Sequence, residues 1–178
     1  GIFSNNSWNE NGRFYGGWWQ RIPKQWRSKI YINDMPTIED DYSSLHPILL
    51  YAQKGIDYNK LKKDDPYDVA KLDIDDPETK RKLIKTLFLT AINSKDEQSC
   101  FQAVKSELQM EIPYFKFSFE NLRLILNQIK DNHSEIADDF CNGKGIGLLN
   151  LDSQIAEYII EKYVAHDIPI LCVHDSFI

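Results

Sequence analysis

The stretch ILCVHDSFI, residues 170–178, decides how this fold is interpreted. The apolar run PILCVH predicts a short buried strand over 169–174, and the polar pair His174 and Asp175 follows at its end. A buried carboxylate is costly unless it is paired or binds a cation. Asp41, in DDYSSLH at 40–46, is a second carboxylate at the end of a predicted strand. If the two strands are neighbours, both carboxylates lie at one edge of a sheet and suit Mg²⁺, which prefers oxygen ligands; two surface turn residues are the alternative.

The charge of the chain is unevenly distributed. A net charge of −6 over 178 residues argues against an extended nucleic-acid surface, because phosphate binding needs clustered cations. Residues 12–29, however, contain Arg and Lys without a single acid, and three Trp are interleaved with them. Of these, Trp18 and Trp19 could stack on bases, but we expect an aromatic pair after Gly-Gly to pack in a core. A second basic stretch is KRKLIK at 80–85.

The cysteine content and the hydropathy of the sequence indicate the cellular compartment that we expect. Three cysteines without a CxxC motif argue against a disulfide framework or a zinc site, so we interpret them as small buried apolar side chains in a reducing, cytoplasmic compartment. No stretch is apolar for long enough to span a membrane, and the first residues do not resemble a signal peptide.

Turn and capping signals predict an α+β fold with few strands and many helices. A hairpin is predicted over 30–41, with its turn beginning at Asn33-Asp34. Helices are predicted over 44–54, 77–93, 95–109, 119–131 and 150–164, and a loop over 142–147. The histidines at 133 and 166 are predicted to lie at the surface.

The helix predicted at 77–93 has the clearest sequence evidence for an anion-binding site. Asp76 is suited to cap its N-terminus and Pro77 to its first turn. Arg81 and Lys85 are four residues apart and share one face, which Leu89 and Asn93 continue. An anion between the two cations would offset their repulsion, and a triphosphate is such an anion. A solvated basic face is the alternative.

Four blocks, taken in order, resemble the palm and fingers of A-family DNA polymerases and, more loosely, single-subunit phage-type RNA polymerases. NGRFYGGWWQRIPKQWR (11–27) is similar to the family's TGR…LQNIP segment. DYSSLH (41–46) is similar to motif A, RKLIKTLFLTAINS (81–94) to motif B, and VHDS (173–176) to motif C. The resemblance implies a palm with a small antiparallel sheet and helical fingers, truncated: 1–75 and 133–178 as two parts of the palm, and 76–132 as a fingers-like region.

The resemblance also implies a role for each matching residue. Asp41 and Asp175, with the backbone carbonyl of Tyr42, would hold Mg²⁺, with Mn²⁺ as an alternative ion. The nucleotide would be bound by Arg81, Lys85, His46, Leu89 and Asn93, and the primer–template by Arg13, Gln20 and His174. The implied activity is template-directed addition of nucleotides to a 3′-hydroxyl. The implied partners are a DNA primer–template and nucleoside triphosphates, with other replication proteins as further candidates.

Departures from the family leave three questions open. Asn93 and Ser94 stand where motif B has Tyr-Gly, His46 and Ser176 stand where motifs A and C have Glu, and the choice between dNTPs and NTPs is therefore open. A palm that binds nucleic acid or nucleotide without turnover is one alternative. A metal-dependent hydrolase using Asp40, Asp41, His46, His174 and Asp175 is another. Because the chain ends where the return strand of the motif C hairpin should begin, we expect it to belong to a longer protein.

Overall fold

The computed structural model describes residues 2–3, 11–13, 16–41, 44–61, 64–69, 71–173 and 176–178, with the backbone alone at 2–3, 11–13, 40–41, 146 and 149. Helices and short antiparallel strands occupy separate regions, so the fold is α+β as predicted. The chain divides into two compact units. The terminal unit comprises Gly1–Leu45 and Gly147–Ile178, and the helical unit comprises His46–Ile146. These boundaries differ from those drawn from the sequence at 75/76 and 132/133.

The elements follow one another along the chain as short strands and longer helices. The strands are β1 (Ile2–Phe3), β2 (Asn11–Arg13), β3 (Tyr31–Ile32), β4 (Met35–Pro36), β5 (Asp40–Asp41), β6 (Cys172–Val173) and β7 (Ser176–Phe177). The α-helices are α1 (Lys24–Arg27), α2 (Leu45–Gln53), α3 (Tyr58–Leu61), α4 (Pro77–Asn93), α5 (Glu97–Leu108), α6 (Phe119–Asn132) and α7 (Ile146–Ala165). Two 3₁₀ helices span Trp18–Arg21 and Ser134–Asp139. Of the helices in the described part of the chain, none combines the length and apolar character that a bilayer-spanning segment needs.

The terminal unit is built on a three-stranded antiparallel sheet in the order β5-β7-β6. Successive residues of a strand face opposite sides of a sheet, so β6 contributes to two small cores. Cys172 packs with Phe177 and with Ala156 of α7, the helix that precedes the VHDS block. Val173 packs with Ile30 and Ile178 in the second core.

The predicted hairpin at 30–41 is confirmed in its turn and is wrong in the length of its second strand. Asn33 and Asp34 both have positive φ, 51° and 62°, as expected for a two-residue turn of the type favoured by Asn and Asp. The second strand, β4, covers only Met35–Pro36. The carbonyl of Ile30 accepts hydrogen bonds from the backbone N–H and the hydroxyl of Thr37, which close the hairpin there. β5 then pairs with β7 instead.

Two further expectations are corrected near the C-terminus. Of the described residues in the predicted strand over 169–174, only β6 forms a strand, and the return strand is already present as β7, which pairs with β6 through Val173↔Ser176 and Cys172↔Phe177. The predicted loop over 142–147 ends early because α7 begins at Ile146. Gly147 within the first turn weakens a helix only modestly, which tertiary contacts readily override.

The helical unit is organised around α4, whose bounds match the prediction. Asp76 accepts a hydrogen bond from the backbone N–H of Thr79, and Pro77 opens the helix. The apolar face at helical spacing is buried against α5 and α6. The residues of α4 that this face contributes are Leu83, Ile84, Leu87, Phe88, Ala91 and Ile92. The helices predicted at 95–109 and 119–131 are confirmed within two residues as α5 and α6.

His133 is not the surface residue that the sequence predicted. Its side chain is 0 % exposed and lies edge-on to the Phe88 ring, with ring centroids 5.2 Å apart. Nε2 donates to the carbonyl of Pro66 at 2.7 Å, and Nδ1 lies 2.8 Å from the hydroxyl of Tyr51. These hydrogen bonds offset the cost of burying the imidazole, which is why a polar residue is tolerated here.

Candidate nucleotide and nucleic-acid site

The sheet of the terminal unit joins the DYSSLH block to the VHDS block. In the antiparallel pair β5–β7, Asp41 lies opposite Ser176 and Asp40 lies opposite Phe177. Ser176 directly follows Asp175 in the sequence. Two segments that are far apart in the chain, each with a predicted metal ligand, therefore contribute strands to one sheet. Tyr42, His174 and Asp175 lie outside the described residues, as do the side chains of Asp41 and Arg13, so their predicted roles stay predictions.

The segment around Trp19 holds the strand that leads into the VHDS block. Trp19 donates its indole N–H to the carbonyl of Cys172 at 2.9 Å, and the Gln20 side-chain amide donates to the same carbonyl at 3.2 Å. Trp19 also packs against the core formed by Ile30, Val173 and Ile178. Gln20, predicted to contact a primer–template, thus has a described role in positioning β6.

A carboxylate that sequence reasoning missed lies beside Ser176. Glu39 forms an ion pair with Arg27 at 2.8 Å and accepts a hydrogen bond from the Ser176 hydroxyl at 3.0 Å. Burial alone would raise the pKa of Glu39, but the hydrogen bonds from Arg27 and Ser176, with the charge of Lys24, outweigh it and lower this pKa. In the sequence, the feature that could have pointed to Glu39 is its position two residues before Asp41.

Two exposed tryptophans and three exposed cations lie within residues 18–29 of the same unit. Trp18 is 63 % exposed and Trp26 is 52 % exposed, and Lys29 lies over the Trp26 ring at 4.6 Å from its centroid. Arg21 and Lys24 are also exposed. The expectation that both Trp18 and Trp19 pack in a core is correct for Trp19 and wrong for Trp18. We call Trp18, Arg21, Lys24, Trp26 and Lys29 the tryptophan surface.

In the helical unit, α4 brings the predicted triphosphate ligands together. The Arg81 guanidinium lies 5.2 Å from the Tyr67 ring centroid, and the Lys85 ammonium lies 5.8 Å from the same centroid. Both cations, with Lys82, line one open cleft of about 510 Å³. The acids of this cleft are Asp76, Glu78 and Glu111, and Glu111 pairs with Lys82. Among the described residues, Lys85 has no carboxylate within ion-pair distance.

Arg81 already has an anionic partner. Its Nε lies 2.5 Å from Oδ2 of Asp65, and its Nη2 lies 3.2 Å from Oδ1. The hydrogen bond to Asp65 raises the pKa of Arg81. Burial would raise the pKa of Asp65, but the hydrogen bonds from Arg81 and from the backbone N–H of Tyr67 lower it. Both groups are therefore fully charged at neutral pH, and a phosphate at Arg81 must compete with this carboxylate.

The remaining predicted nucleotide ligands lie in the same helical unit. Leu89 and Asn93 follow on α4 and are half-buried, and the Asn93 amide donates to the carbonyl of Leu89 at 2.8 Å. The Asn93 side-chain oxygen is buried without a hydrogen-bond partner among the described residues. His46 is half-buried in the first turn of α2.

The side chains that the structure describes include no group of three or more His, Cys, Asp or Glu arranged to hold a metal ion. Asp41 and Asp175 are outside that set. Comparisons of this chain with protein-family models, with curated protein sequences and with solved structures gave no match. Function is therefore inferred from the residues and their contacts.

Proposed function

We propose that this chain carries the metal-binding and triphosphate-binding parts of a template-directed nucleotidyltransferase, similar to the A-family DNA polymerases, which adds nucleotides to a 3′-hydroxyl. The observation that carries the proposal is the register of β5 and β7, in which Asp41 lies opposite Ser176. It supports the idea that the DYSSLH and VHDS blocks work together, because the two blocks share one sheet although 134 residues lie between Asp41 and Ser176 in the sequence.

The donor set of these two blocks fits magnesium. The carboxylates of Asp41 and Asp175 and the backbone carbonyl of Tyr42 are all hard oxygen ligands, which Mg²⁺ and Mn²⁺ prefer over sulfur or imidazole. The nearby Cys172 packs with Ala156 of α7 in an apolar cluster. When bound, the metal ions would lower the pKa of the primer 3′-hydroxyl and stabilise the negative charge of the leaving pyrophosphate.

The residues of the chain would bind and orient the substrates. Arg81 and Lys85 line the cleft on α4 and would bind the β- and γ-phosphates, Arg81 through its planar fork and Lys85 as a point charge. The tryptophan surface would bind the sugar–phosphate backbone through its cations and bases through its exposed rings. Most of the rate enhancement would come from positioning and charge stabilisation.

The pairing of Arg81 with Asp65 favours a second candidate, a palm that binds nucleic acid or nucleotide without turnover. The guanidinium that should bind the triphosphate is neutralised by a carboxylate at 2.5 Å. Asn93 and Ser94 also replace the Tyr-Gly pair that the resemblance implies at the end of α4. Under this candidate the metal sites would persist and nucleotide incorporation would not occur.

The test is binding of Mn²⁺ in the presence of a nucleoside triphosphate, followed by electron paramagnetic resonance. We expect wild-type protein to bind Mn²⁺, and Asp41→Asn and Asp175→Asn each to weaken this binding strongly. Asp40→Asn is the matched control, since it makes the same charge change at the neighbouring residue of β5. Circular dichroism would show that each variant is folded.

Primer extension with dNTPs and with NTPs then separates the candidates. Extension that is lost in Asp41→Asn and in Asp175→Asn supports the transferase, and its nucleotide preference answers the open question of substrate. Mn²⁺ binding that needs both aspartates, without extension by the full protein, supports the binding palm. Mn²⁺ binding unchanged in both aspartate variants would overturn both candidates.

A further inference from the structure

Residues 64–67, which lie between α3 and α4, form a segment that carries the carboxylate paired with Arg81, and we call it the aspartate strap. Asp65 of the strap forms the two-point ion pair with Arg81. Its Oδ1 also accepts a hydrogen bond from the backbone N–H of Tyr67 at 3.1 Å. The orientation of the Asp65 side chain is therefore fixed by its own segment as well as by α4. Both members of the ion pair stay partly exposed, so an anion from solvent can reach them.

The backbone of the strap is held by two side chains from other elements. The hydroxyl of Tyr58, on α3, donates to the carbonyl of Asp64 at 3.0 Å. The imidazole of His133, directly after α6, donates from Nε2 to the carbonyl of Pro66 at 2.7 Å, since a carbonyl can only accept. Pro66 is buried, so its carbonyl depends on this donor in place of water. The two hydrogen bonds hold the strap on either side of Asp65.

His133 also connects the strap to the helix that carries the cations. His133 and Tyr67 both lie edge-on to the Phe88 ring, with their ring centroids 5.2 Å and 5.4 Å from it. Phe88 belongs to α4 and follows Arg81 by seven residues, which is about two turns. The Arg81 guanidinium in turn lies 5.2 Å from the Tyr67 ring centroid. One packed group of rings therefore fixes the strap against the part of α4 that carries Arg81.

His133 cannot contact an anion itself. Its side chain is 0 % exposed, so a ligand from solvent does not reach it. Nδ1 lies 2.8 Å from the Tyr51 hydroxyl, which fixes the orientation of the ring. An apolar ring at this position would pack against Phe88 in the same way but could not donate to the carbonyl of Pro66. The hydrogen bond to Pro66 is therefore the feature that distinguishes His133 from a residue that only fills the core.

We propose that His133 is a positioning residue for the anion site, because its hydrogen bond to Pro66 holds the aspartate strap closed, with Asp65 against Arg81, until a polyphosphate displaces the carboxylate. The inference rests on the proposed function, in which Arg81 and Lys85 bind a triphosphate. It adds that this site contains its own competitor, and that a buried histidine from a different element sets how firmly the competitor is held. The strap is thus an autoinhibitory contact that an incoming anion opens.

The strap lowers the affinity of the site for an anion by a factor that has an upper limit. The apparent affinity is reduced by the fraction of molecules in which Arg81 is free of Asp65. Asp65→Asn removes the competing charge, and we expect it to raise the affinity by up to about fivefold, as for an exposed ion pair. A change at His133 loosens the strap but leaves the carboxylate in place. It should therefore raise the affinity by less than Asp65→Asn does.

The test is a double-mutant cycle measured by isothermal titration calorimetry with inorganic tripolyphosphate. His133→Phe keeps a ring against Phe88 and removes the donor to Pro66, and we expect it to bind tripolyphosphate about two- to threefold more tightly than wild type. The matched control is His133→Gln, whose side-chain amide can still donate to Pro66 and should restore the wild-type affinity. In the Asp65→Asn background, His133→Phe should add nothing, because the carboxylate that His133 positions is already gone.

Two results would overturn the positioning role and leave the proposed triphosphate site intact. One is a folded His133→Phe variant with wild-type affinity. The other is an effect of His133→Phe that is equally large with and without Asp65. Binding of tripolyphosphate that Lys85→Ala does not weaken would instead overturn the triphosphate site, and the role of His133 with it. Circular dichroism shows which variants are folded.

Nuclear magnetic resonance of the wild-type protein decides the proposal if His133→Phe does not fold. Titration with tripolyphosphate should shift the Tyr67 amide, which loses its bond to Asp65, and the His133 Nε2–H along one binding curve. The amide of Asn59 is the matched control, since it donates to Oδ1 of Asp57 over the same two-residue spacing at 3.1 Å and should not shift. A shifted Tyr67 amide with an unchanged His133 signal, or an equal shift at Asn59, would contradict the proposal.

Discussion

Arg81 is held by Asp65 in a two-point ion pair on the face of α4 that also carries Lys85. The pair is partly exposed, with side-chain accessibilities of 45 % and 34 %. An exposed ion pair contributes about 0–1 kcal/mol to stability, so an anion of higher charge can displace Asp65 from Arg81. Asp65 therefore occupies the place at Arg81 that a phosphate would take under the proposed function.

Replacing Asp65 tests this competition. We expect Asp65→Asn to bind nucleoside triphosphate up to about fivefold more tightly, because the carboxylate that offsets Arg81 is removed and an exposed pair is worth about 0–1 kcal/mol. Isothermal titration calorimetry measures the affinity. Asp68→Asn is the control, since Asp68 lines a separate cavity of about 380 Å³ together with Asp65 and Arg81 but is not the ion-pair partner of Arg81. Equal affinities in the two variants would show that Asp65 does not compete with the anion.

The same ion pair predicts a pH dependence of stability. The folded-state pKa of Asp65 is lowered, so the pair stabilises the protein above the unfolded value of about 4 and is lost as pH falls through the folded pKa. The difference in free energy of unfolding between wild type and Asp65→Asn should be constant near neutral pH and shrink towards zero in acid. Urea unfolding at a series of pH values measures it. A difference that grows in acid would contradict this assignment.

The tryptophan surface should bind single-stranded nucleic acid. We expect Trp26→Ala and Trp18→Ala each to weaken binding, because stacking of a base on an aromatic ring is worth about 1–3 kcal/mol. Fluorescence anisotropy of a labelled oligonucleotide measures the affinity. Trp26→Phe is the matched variant, since it keeps a ring for stacking and should lose less. Affinities unaffected by both alanine changes would show that nucleic acid does not use this surface.

Trp19 and Trp18 are adjacent and should respond differently to the same substitution. Trp19→Phe removes the hydrogen bond to Cys172 and part of the packing, so we expect a loss of about 1–2 kcal/mol in the free energy of unfolding. The Cys172 carbonyl keeps the bond from Gln20, which limits the cost. Trp18→Phe should be within about 0.5 kcal/mol of wild type, as is usual for surface changes. Similar losses in both variants would contradict these positions.

Gly145 lies so close to Ile92 that no other residue type fits at this position without a shift. A Cβ at this position would lie 2.1 Å from Cγ2 and 2.2 Å from the carbonyl oxygen of Ile92. We expect Gly145→Ala to destabilise the helical unit by about 3 kcal/mol, the upper end of the usual cost of overpacking. Gly147→Ala is the control: its Cβ meets nothing within 4 Å, and a helical Ala is favoured over Gly by up to about 1 kcal/mol. Thermal denaturation compares the two, and a neutral Gly145→Ala would show that the contact relaxes freely.

Local signals predicted the helices well and the terminal sheet less well. The Asp76-Pro77 start of α4 depends on residues within one turn of each other, so it is readable from sequence. The turn at Asn33-Asp34 is equally local. The lengths of the strands could not be read from sequence, because a two-residue strand is defined only by its hydrogen bonds to a partner strand. β5 is defined by pairing with β7, from the other end of the chain.

In the candidate site, too, local spacing could be predicted from the sequence and contacts between distant residues could not. The spacing of Arg81 and Lys85 by itself determined that they share a face of α4, since 3.6 residues per turn leave no alternative. The tertiary structure alone decided that Asp65 neutralises Arg81 and that His133 is buried. These contacts join residues from different elements, and their partners are selected by packing of the whole unit, whereas helix starts and turns are selected by hydrogen bonds between residues a few positions apart.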